Sequence, residues 1–373
     1  MIGIDATGWW GETHGIHVYA RQLAENLLAL YGDSQAFRVY CRREIPREFS
    51  QYTHNNEFPT AQFSDRKICE QFWLSYQLLT RKDDLFHATY GKPLYCPSKL
   101  VITVHDLFLM RFPEKYSSVW KAYHRIAVEH GAQKADLIHT PSEFTKQDII
   151  ELLGISEDRV QVIPHAVDKN RFQPATTERQ QAVISRYKLP KRFILHVGGF
   201  SPVKNTVRIV KAFHQLLNES THEDLGMVFA GGTGGSQYKA TVEAVIKYKL
   251  EGRITFTGYI PDDDVVALYT AAQCVMLPSL MEGFGLPLLE SFSCGTPVIC
   301  SDRGSLPEVA GKGAILIPAQ DSEAMADAMN NVLSDEHLRT ELIQHAVLQA
   351  QKFSLRRTAQ ETYQSYKLLT NSA

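Results

Sequence analysis

Short apolar runs alternate with amphipathic segments along the chain, and this order is typical of parallel β-strands joined by α-helices. The runs predicted as strands are residues 1–6, 36–41, 85–88, 100–104, 136–140, 159–163, 193–197, 225–230, 254–257, 274–277, 298–301 and 314–317. The run at 193–197 is the continuous apolar kind that is buried on both faces of a sheet. The pattern predicts an α/β fold built from doubly wound, Rossmann-like sheets.

The segments between these strands carry apolar residues at helical spacing. Helices are predicted at about 16–30, 66–81, 115–134, 237–248, 322–333, 335–352 and 355–369. The second of these is expected to carry, on one side, Phe72, Trp73, Tyr76 and Leu79. The third is expected to have, as its apolar side, Val119, Tyr123, Ile126 and Ala127. A further helix is expected after Ser142, whose hydroxyl suits the N-cap position.

The length of the chain indicates two domains, because 373 residues exceed the usual size of one. A polar stretch over 171–192, which contains Pro174 and Pro190, is the predicted linker. The first domain is accordingly placed at residues 1–175 and the second at residues 190–354.

Composition excludes several classes of function. The chain is 44% hydrophobic and 21% charged, with a net charge of −2, so nothing favours nucleic acid as a partner. No apolar run approaches the roughly 20 residues that a membrane-spanning helix needs, and the first residues enter a strand rather than a signal peptide. Six scattered cysteines without a Cys-x2-Cys pair indicate reduced thiols. We expect a cytoplasmic protein.

The stretch 277–297, LPSLMEGFGLPLLESFSCGTP, combines a strand end, a glycine-spaced loop and a short helix. Gly283 and Gly285 allow the backbone to approach a ligand, and the first N–H groups of the helix favour an anion. Glu282 and Glu290 bracket the loop and can accept hydrogen bonds from hydroxyl groups. Phosphate donors beside hydroxyl acceptors predict a sugar-nucleotide site.

A second stretch points to the same chemistry. Gly198 and Gly199 follow the strand at 193–197, and Lys204 precedes a helix expected to start near Asn205. A lysine at a helix start supplies a positive charge to phosphate oxygens. The other glycine-rich turns lack the G-x-G-x-x-G spacing, so a dehydrogenase is a poor fit.

The element EGFGLPLLE, followed by SCGTPVICSD and SLPEV, resembles the signature of retaining glycosyltransferases with the GT-B fold, glycosyltransferase family 4. The mannosyltransferase-like branch is the most similar. The resemblance implies two Rossmann-like domains that face each other across a cleft. It also implies that the C-terminal helix crosses back onto the first domain, which adds residues 355–373 to that domain.

The resemblance also implies roles for individual residues. Gly15 matches a glycine beside the donor phosphates, and His105 matches a histidine that contacts the donor sugar. The backbone at Tyr259 is expected to meet the nucleobase. Glu282 would orient the transferred sugar and Glu290 would accept from the ribose. The implied donor-binding set is completed by Gly198, Gly199, Lys204, Gly283, Phe284, Gly285 and Leu286.

One position departs from the family pattern. Family members often carry an arginine where this chain has Gly199, with the lysine five residues later. The departure puts a two-cation clamp on the diphosphate in doubt. Lys204 carries the charge alone, or a nearby side chain such as Arg208 compensates.

The predicted activity is transfer of a hexose, first of all mannose from GDP-mannose, to a glycan or lipid-linked acceptor, without a cofactor or metal. Asp262, Asp263 and Asp264 are interpreted as acidic residues at a helix start rather than as metal ligands. A sugar-nucleotide epimerase of the same fold and a non-catalytic sugar-nucleotide-binding module stay open as alternatives.

A peripheral contact with the inner face of the membrane is a further hypothesis. It rests on the basic residues of the predicted helix at 115–134 and on Trp120. Those basic residues are Lys115, Lys121, Arg125 and Lys134. A solvated charged face is the alternative interpretation of the same segment.

Overall fold

The computed structural model describes residues 1–7, 15–42, 47–60, 67–115, 118–219 and 222–370. Gly8 and Gly11, which follow the first predicted strand in the sequence, lie outside these residues. The chain divides into two compact units, one formed by Met1–His165 with Ser354–Ala373 and the other by Ala166–Phe353.

The first unit contains a six-stranded, all-parallel sheet with the strand order β2-β1-β3-β4-β5-β6. The strands are β1 (Ile2–Asp5), β2 (Phe37–Tyr40), β3 (Leu85–Ala88), β4 (Lys99–Thr103), β5 (Leu137–Thr140) and β6 (Val160–Val162). Its helices are α1 (Gly15–Tyr31), α2 (Lys67–Arg81), α3 (Phe108–Arg111), α4 (Ser118–His124), α5 (His130–Lys134) and α6 (Glu143–Leu153). The strands are buried because their apolar runs are covered by helices.

The C-terminal helix α15 (Leu355–Thr370) belongs to this first unit, as predicted. The Tyr366 hydroxyl lies 2.5 Å from His87 Nδ1 on β3, and Ser365 Oγ lies 2.9 Å from His139 Nε2 on β5. The ring of Tyr363 stacks on Tyr31 of α1. Polar and aromatic contacts together therefore attach α15 to the sheet and to α1.

Two helix predictions in the first unit need correction. Helix α2 turns three of the four residues of its predicted apolar side outward, since Phe72, Tyr76 and Leu79 are exposed, while Trp73 packs against the core. The buried residues of α2 in that core are Leu74 and Leu78. The predicted helix at 115–134 is divided, because a π-helix over Arg125–Glu129 joins α4 to α5. Within it Ala127 is buried but Ile126 is 59% exposed.

The second unit contains another six-stranded parallel sheet, with the order β12-β11-β10-β7-β8-β9. The strands are β7 (Arg192–Val197), β8 (Leu225–Ala230), β9 (Ile254–Gly258), β10 (Cys274–Leu277), β11 (Val298–Ser301) and β12 (Ala314–Ile317). The helices are α7 (Thr177–Arg186), α8 (Thr206–Glu219), α9 (Tyr238–Lys247), α10 (Asp262–Ala271), α11 (Leu286–Ser293), α12 (Leu306–Ala310), α13 (Ser322–Ser334) and α14 (Glu336–Ala350). The predicted α/β fold of two Rossmann-like domains is confirmed.

The segment predicted as a linker, 171–192, is not a free connection. Phe172, Val183 and Leu189 lie in a hydrophobic core of the second unit. Helix α7 packs against α10. The polar composition of the segment reflects the exposed face of α7, so composition alone placed the boundary too far along the chain.

The described helices include none that is both long enough and apolar enough to cross a membrane.

Candidate functional site

The loop between β10 and α11 forms the centre of the candidate site. Gly285 adopts φ of +98° immediately before α11, and a Cβ there would lie 2.7 Å from Leu306 Cδ2, so only glycine fits. Pro287 stands in the first turn of the helix, and Gly295 follows its end with φ of +73°. The predicted strand–loop–helix unit is therefore confirmed, with the α11 N-terminus following the glycines.

Glu282 and Lys204, which are 78 residues apart in the sequence, form an ion pair in the structure. Lys204 Nζ donates to Glu282 Oε1 at 2.7 Å, and the Ser279 hydroxyl donates to the same oxygen at 2.6 Å. The Glu282 and Lys204 side chains are 13% and 20% exposed. The structure thus joins the two stretches that the sequence indicated separately.

The backbone of Glu282 is held by a segment that sequence reasoning did not assign. The Ser305 backbone N–H and hydroxyl both donate to the Glu282 carbonyl at 3.0 Å. Gly304 adopts φ of +64°, and a Cβ there would lie 2.7 Å from Glu282 N. The signal was present in the stretch SDRGS, whose Gly-Ser pair lets one loop approach another.

Lys204 is positioned by a short 3₁₀-helix, Pro202–Lys204, and by the left-handed Asn205. Asn205 Nδ2 donates to the carbonyl groups of Pro278, at 2.9 Å, and Ala319, at 2.6 Å. The bond to Pro278 connects the turn that carries Lys204 to the residue that follows β10. The structure therefore fixes the Lys204 backbone to the same loop that carries Glu282.

The proposed compensation by Arg208 has no support in the geometry. Its guanidinium donates to Asn205 Oδ1 at 2.6 Å, so Arg208 serves the turn behind the lysine. Gly199 has no heavy atom within 4 Å of its Cβ position, and Gly198 lies beside the Lys204 stem. Among these residues Lys204 alone presents its charge toward Glu282.

Glu290 projects from α11 and is held at one oxygen. The Tyr269 hydroxyl on α10 donates to Glu290 Oε2 at 2.7 Å. Burial raises the pKa of the Glu290 carboxyl, while the Tyr269 hydrogen bond and the positive charge of Arg171 lower it. A desolvated carboxylate with one oxygen fixed can accept a hydrogen bond at its other oxygen.

Asp262, Asp263 and Asp264 lie in the first turn of α10, which confirms their predicted place at a helix start. Helix α10 has no side-chain cap at its N-terminus. Asp262 pairs with Arg171 at 2.8 Å, and Asp264 pairs with Arg186 at 2.6 Å. These pairs attach the segment around α7 to α10. In the described part of the chain no cluster of three or more His, Cys, Asp or Glu side chains could hold a metal ion.

The remaining predicted donor contacts of the second unit lie at the ends of its elements. Tyr259 follows β9 and is 58% exposed, which leaves the ring accessible to a ligand. Phe284 is buried and packs edge-on against Phe353 at 5.6 Å. Leu286 begins α11. The Phe284 side chain is therefore part of the core rather than an exposed contact.

His105 lies in the first unit, two residues after β4. Its Nε2 donates to the Thr89 carbonyl at 2.8 Å, so its Nδ1 accepts from His165 Nε2 at 3.0 Å. Burial lowers the pKa of His105 to about 4, which keeps the ring neutral at pH 7. Gly15 is the exposed first residue of α1 in the same unit.

Two family models match successive parts of the chain. The model described as Glycosyltransferase Family 4 matches residues 13–171, and the model described as Glycosyl transferases group 1 matches residues 178–349. The O-antigen chain mannosyltransferase B of Escherichia coli is 31% identical over 299 residues, which are 79% of this chain and 77% of the relative.

A second relative is longer. The serotype-specific mannosyltransferase WbdA of Escherichia coli is 32% identical over 282 residues, which are 74% of this chain but only 34% of WbdA. The chain therefore spans about a third of the length of WbdA.

Solved structures share the fold at low sequence identity. The sucrose-phosphate synthase of Thermosynechococcus elongatus superposes with a TM-score of 0.78 at 20% identity, covering 100% of this chain and 99% of the synthase. HepE of Anabaena, solved in complex with UDP-glucose, gives a TM-score of 0.77 at 19% identity, covering 98% and 99%.

Proposed function

This chain is a glycosyltransferase and belongs to glycosyltransferase family 4, and from that membership we propose that it transfers mannose from a nucleoside diphosphate sugar. The acceptor would be a hydroxyl group of a glycan or of a lipid-linked glycan. The anomeric configuration of the sugar would be retained. Support for the choice of sugar comes from the mannosyltransferase relatives at 31% and 32% identity.

The observation that carries the proposal is the contact between Lys204 and Glu282 beside the α11 N-terminus. The ammonium group is a cation for the diphosphate, and the carboxylate is an acceptor for sugar hydroxyls. The positive end of the α11 helix dipole adds favourable potential for a negative charge. A sugar diphosphate needs both kinds of partner within a few ångströms of each other.

The proposed reaction needs positioning and charge stabilisation rather than a protein nucleophile. The bond between the anomeric carbon and the diphosphate oxygen breaks, and the negative charge that develops on the diphosphate is stabilised by Lys204 and the α11 N-terminus. The acceptor hydroxyl bonds to the anomeric carbon from the same face. Its proton passes to an oxygen of the leaving diphosphate.

Glu282, Glu290 and His105 have distinct roles in this proposal. Glu282 orients the transferred sugar, and Glu290 accepts a hydrogen bond from the ribose. His105 contacts the transferred sugar with its ring, because both ring nitrogens already have partners in Thr89 and His165. None of these roles requires a metal ion, so transfer is proposed to be metal-independent.

The donor is proposed to be GDP-mannose. Nucleotide release, measured across a panel of GDP, UDP and ADP sugars with soluble and lipid-linked glycan acceptors, tests this proposal. We expect GDP release from GDP-mannose only when an acceptor is present, with or without EDTA. Release of UDP from a UDP-sugar would change the donor, and interconversion of sugar nucleotides without an acceptor would favour an epimerase.

We also propose a peripheral contact with an anionic membrane, through an apolar patch on the first unit. The patch consists of Phe72, Tyr76, Leu79, Leu94, Tyr95 and Ile126, all exposed. The loop carrying Tyr95 bonds to Ser75 of α2 at 3.0 Å, and Lys92 of the same loop bonds to the carbonyl of Ala127 at 2.8 Å. These bonds hold the loop next to α2 and to the π-helix Arg125–Glu129, and the exposed Arg125 adds positive charge there.

Sedimentation with phosphatidylglycerol vesicles at low salt tests the membrane contact. The double variant Phe72→Ser/Tyr76→Ser and the double variant Lys121→Glu/Arg125→Glu should each reduce the bound fraction, because apolar burial and charge attraction both contribute. Leu348→Ser, which changes a leucine 58% exposed in the second unit, is the matched control and should bind normally. Wild-type protein that never co-sediments would contradict the proposal.

A further inference from the structure

The two oxygens of the Glu290 carboxylate differ in their surroundings. Oε2 accepts the Tyr269 hydroxyl at 2.7 Å. Glu290 itself is partly exposed, whereas Tyr269 is 0% exposed. Oε1 has no hydrogen-bond partner among the described residues, so one oxygen is bound to a buried donor and the other remains for a ligand.

Tyr269 is held rigidly by its neighbours. The Thr296 hydroxyl donates to the Tyr269 carbonyl at 2.7 Å, and the Tyr269 ring packs edge-on against Phe172 at 6.3 Å. Burial raises the pKa of Tyr269 well above its usual 10, so the hydroxyl is protonated at neutral pH. Tyr269 thus offers a donor at a fixed place.

We infer that Tyr269 is a positioning residue for nucleotide binding, which holds Glu290 so that the other carboxylate oxygen faces the ribose hydroxyls. The inference rests on the proposed role of Glu290. It adds a residue on α10, outside the EGFGLPLLE element, to the residues proposed to bind the donor. Tyr269 does not touch the nucleotide in this account and acts only through Glu290.

The hydrogen bond has a consequence for pH dependence. Burial raises the pKa of Glu290, and the Tyr269 hydroxyl lowers it by bonding to the charged form. The other charged or titratable groups that act on this carboxyl, or on which it acts, are Arg171, Lys204, Asp262 and Cys294. Removal of the Tyr269 hydroxyl should therefore raise the pKa of Glu290 and shift the acidic loss of nucleotide binding to higher pH.

The test compares Tyr269→Phe with Tyr187→Phe in the full chain. Tyr187 is the matched control, because its hydroxyl donates to a carboxylate of the same unit, Asp264, at 2.8 Å. Wild-type protein is titrated calorimetrically with GDP and with UDP, and the tighter ligand is used for all variants. Each variant is compared with wild type at every pH, so that the ionisation of the nucleotide cancels.

We expect Tyr269→Phe to weaken nucleotide binding about tenfold, the effect of losing one hydrogen bond to a charged group. The pH below which this variant loses nucleotide binding should be higher than in wild type. Tyr187→Phe should keep the wild-type affinity and the wild-type pH profile. In a Glu290→Gln background this loss of nucleotide binding at acidic pH should disappear, and adding Tyr269→Phe should no longer shift the pH profile.

Two results distinguish the inference from its premise. Weak binding by Glu290→Gln together with wild-type affinity and pH profile for Tyr269→Phe would overturn the inference alone. A fall in melting temperature without the pH shift would likewise reduce Tyr269 to a structural residue. Wild-type affinity for Glu290→Gln would instead overturn the role of Glu290, and the inference with it.

Discussion

At the scale of single residues, Lys204 and Glu282 neutralise each other in the free protein. In the proposed function a bound diphosphate would share Lys204 with the Glu282 carboxylate, since Lys204 Nζ lies 2.7 Å from Glu282 Oε1. A charge pair that a ligand has to share opposes binding of a bare diphosphate and favours a ligand that also offers hydroxyls to the carboxylate. In the proposed function the pair would therefore discriminate sugar nucleotides from bare nucleoside diphosphates.

This arrangement predicts opposite effects for the two side chains. Glu282→Gln should bind bare GDP at least as tightly as wild type does, because the competing charge is gone. It should lower transfer roughly ten- to a hundredfold, the effect of a lost hydrogen bond to a charged group. Lys204→Ala should weaken both. Calorimetric titration with GDP, beside single-turnover transfer, measures the pattern, and loss of GDP binding in Glu282→Gln would contradict it.

At the scale of elements, much of the fold was predictable from the sequence, but side-chain environments were less so. Strands such as β8 and β12 match the predicted runs residue for residue, because continuous apolar runs fit buried parallel strands. Helix α2 was located correctly, yet Phe72, Tyr76 and Leu79 face outward, while Leu74 and Leu78 are buried in the core and Trp73 packs against it. Periodicity identifies a helix, but it does not tell which of two apolar faces is buried.

The candidate site shows the same limit. The sequence indicated both the lysine turn and the glutamate loop, because each has local chemistry suited to phosphate or hydroxyl groups. It did not reveal the pairing of Lys204 with Glu282 or the hydrogen bond from Ser305 to the Glu282 carbonyl, since contacts across different loops depend on strand order. The donor to Glu290, Tyr269, was missed because a tyrosine at helical spacing resembles any core residue.

The contact of Gly304 and Ser305 with the Glu282 backbone leads to a prediction at the scale of elements. Gly304→Ala should destabilise the protein and lower transfer about tenfold, because the new methyl group would displace the Glu282 backbone. Gly154→Ala is the matched control, since Gly154 has the same φ of +64° but no heavy atom within 4 Å of its Cβ position. The control should cost only the backbone strain, about 1 kcal/mol of the free energy of unfolding.

Urea unfolding and single-turnover transfer separate the two effects of the Gly304 variant. The prediction requires a larger loss of stability in Gly304→Ala than in Gly154→Ala, and a loss of transfer in the former alone. Equal losses of stability and of transfer in the two variants would show that Gly304 and Ser305 do not position Glu282.

At the scale of the whole molecule, buried neutral histidines make the fold sensitive to acid. Burial lowers the pKa of His105 and His196 to about 4 and that of His139 to about 3, from an ordinary 6.5. His87 and His165 are also shifted well below 6.5 by burial. In the unfolded chain these rings take up protons below pH 6.5, whereas the folded protein does not.

The unfolded state therefore binds more protons, and the free energy of unfolding falls as the pH falls from about 6.5 toward about 4. The stability that the neutral rings preserve is fully present above pH 6.5. We expect the urea midpoint to drop steeply over this range, with a smaller slope in His139→Gln, which removes one titrating ring. A midpoint that stays constant between about pH 6.5 and 4.5 would contradict this account.

The configuration of the product tests the central claim most directly. The enzyme is incubated with GDP-mannose and a glycan acceptor in the presence of EDTA, and the anomeric proton of the new linkage is observed by NMR before any equilibration. The account predicts that the transferred mannose keeps the α configuration of the donor, because attack and departure occur on one face. A β-linked product, or transfer that requires added magnesium or manganese, would contradict the mechanism built on Lys204 and the α11 N-terminus.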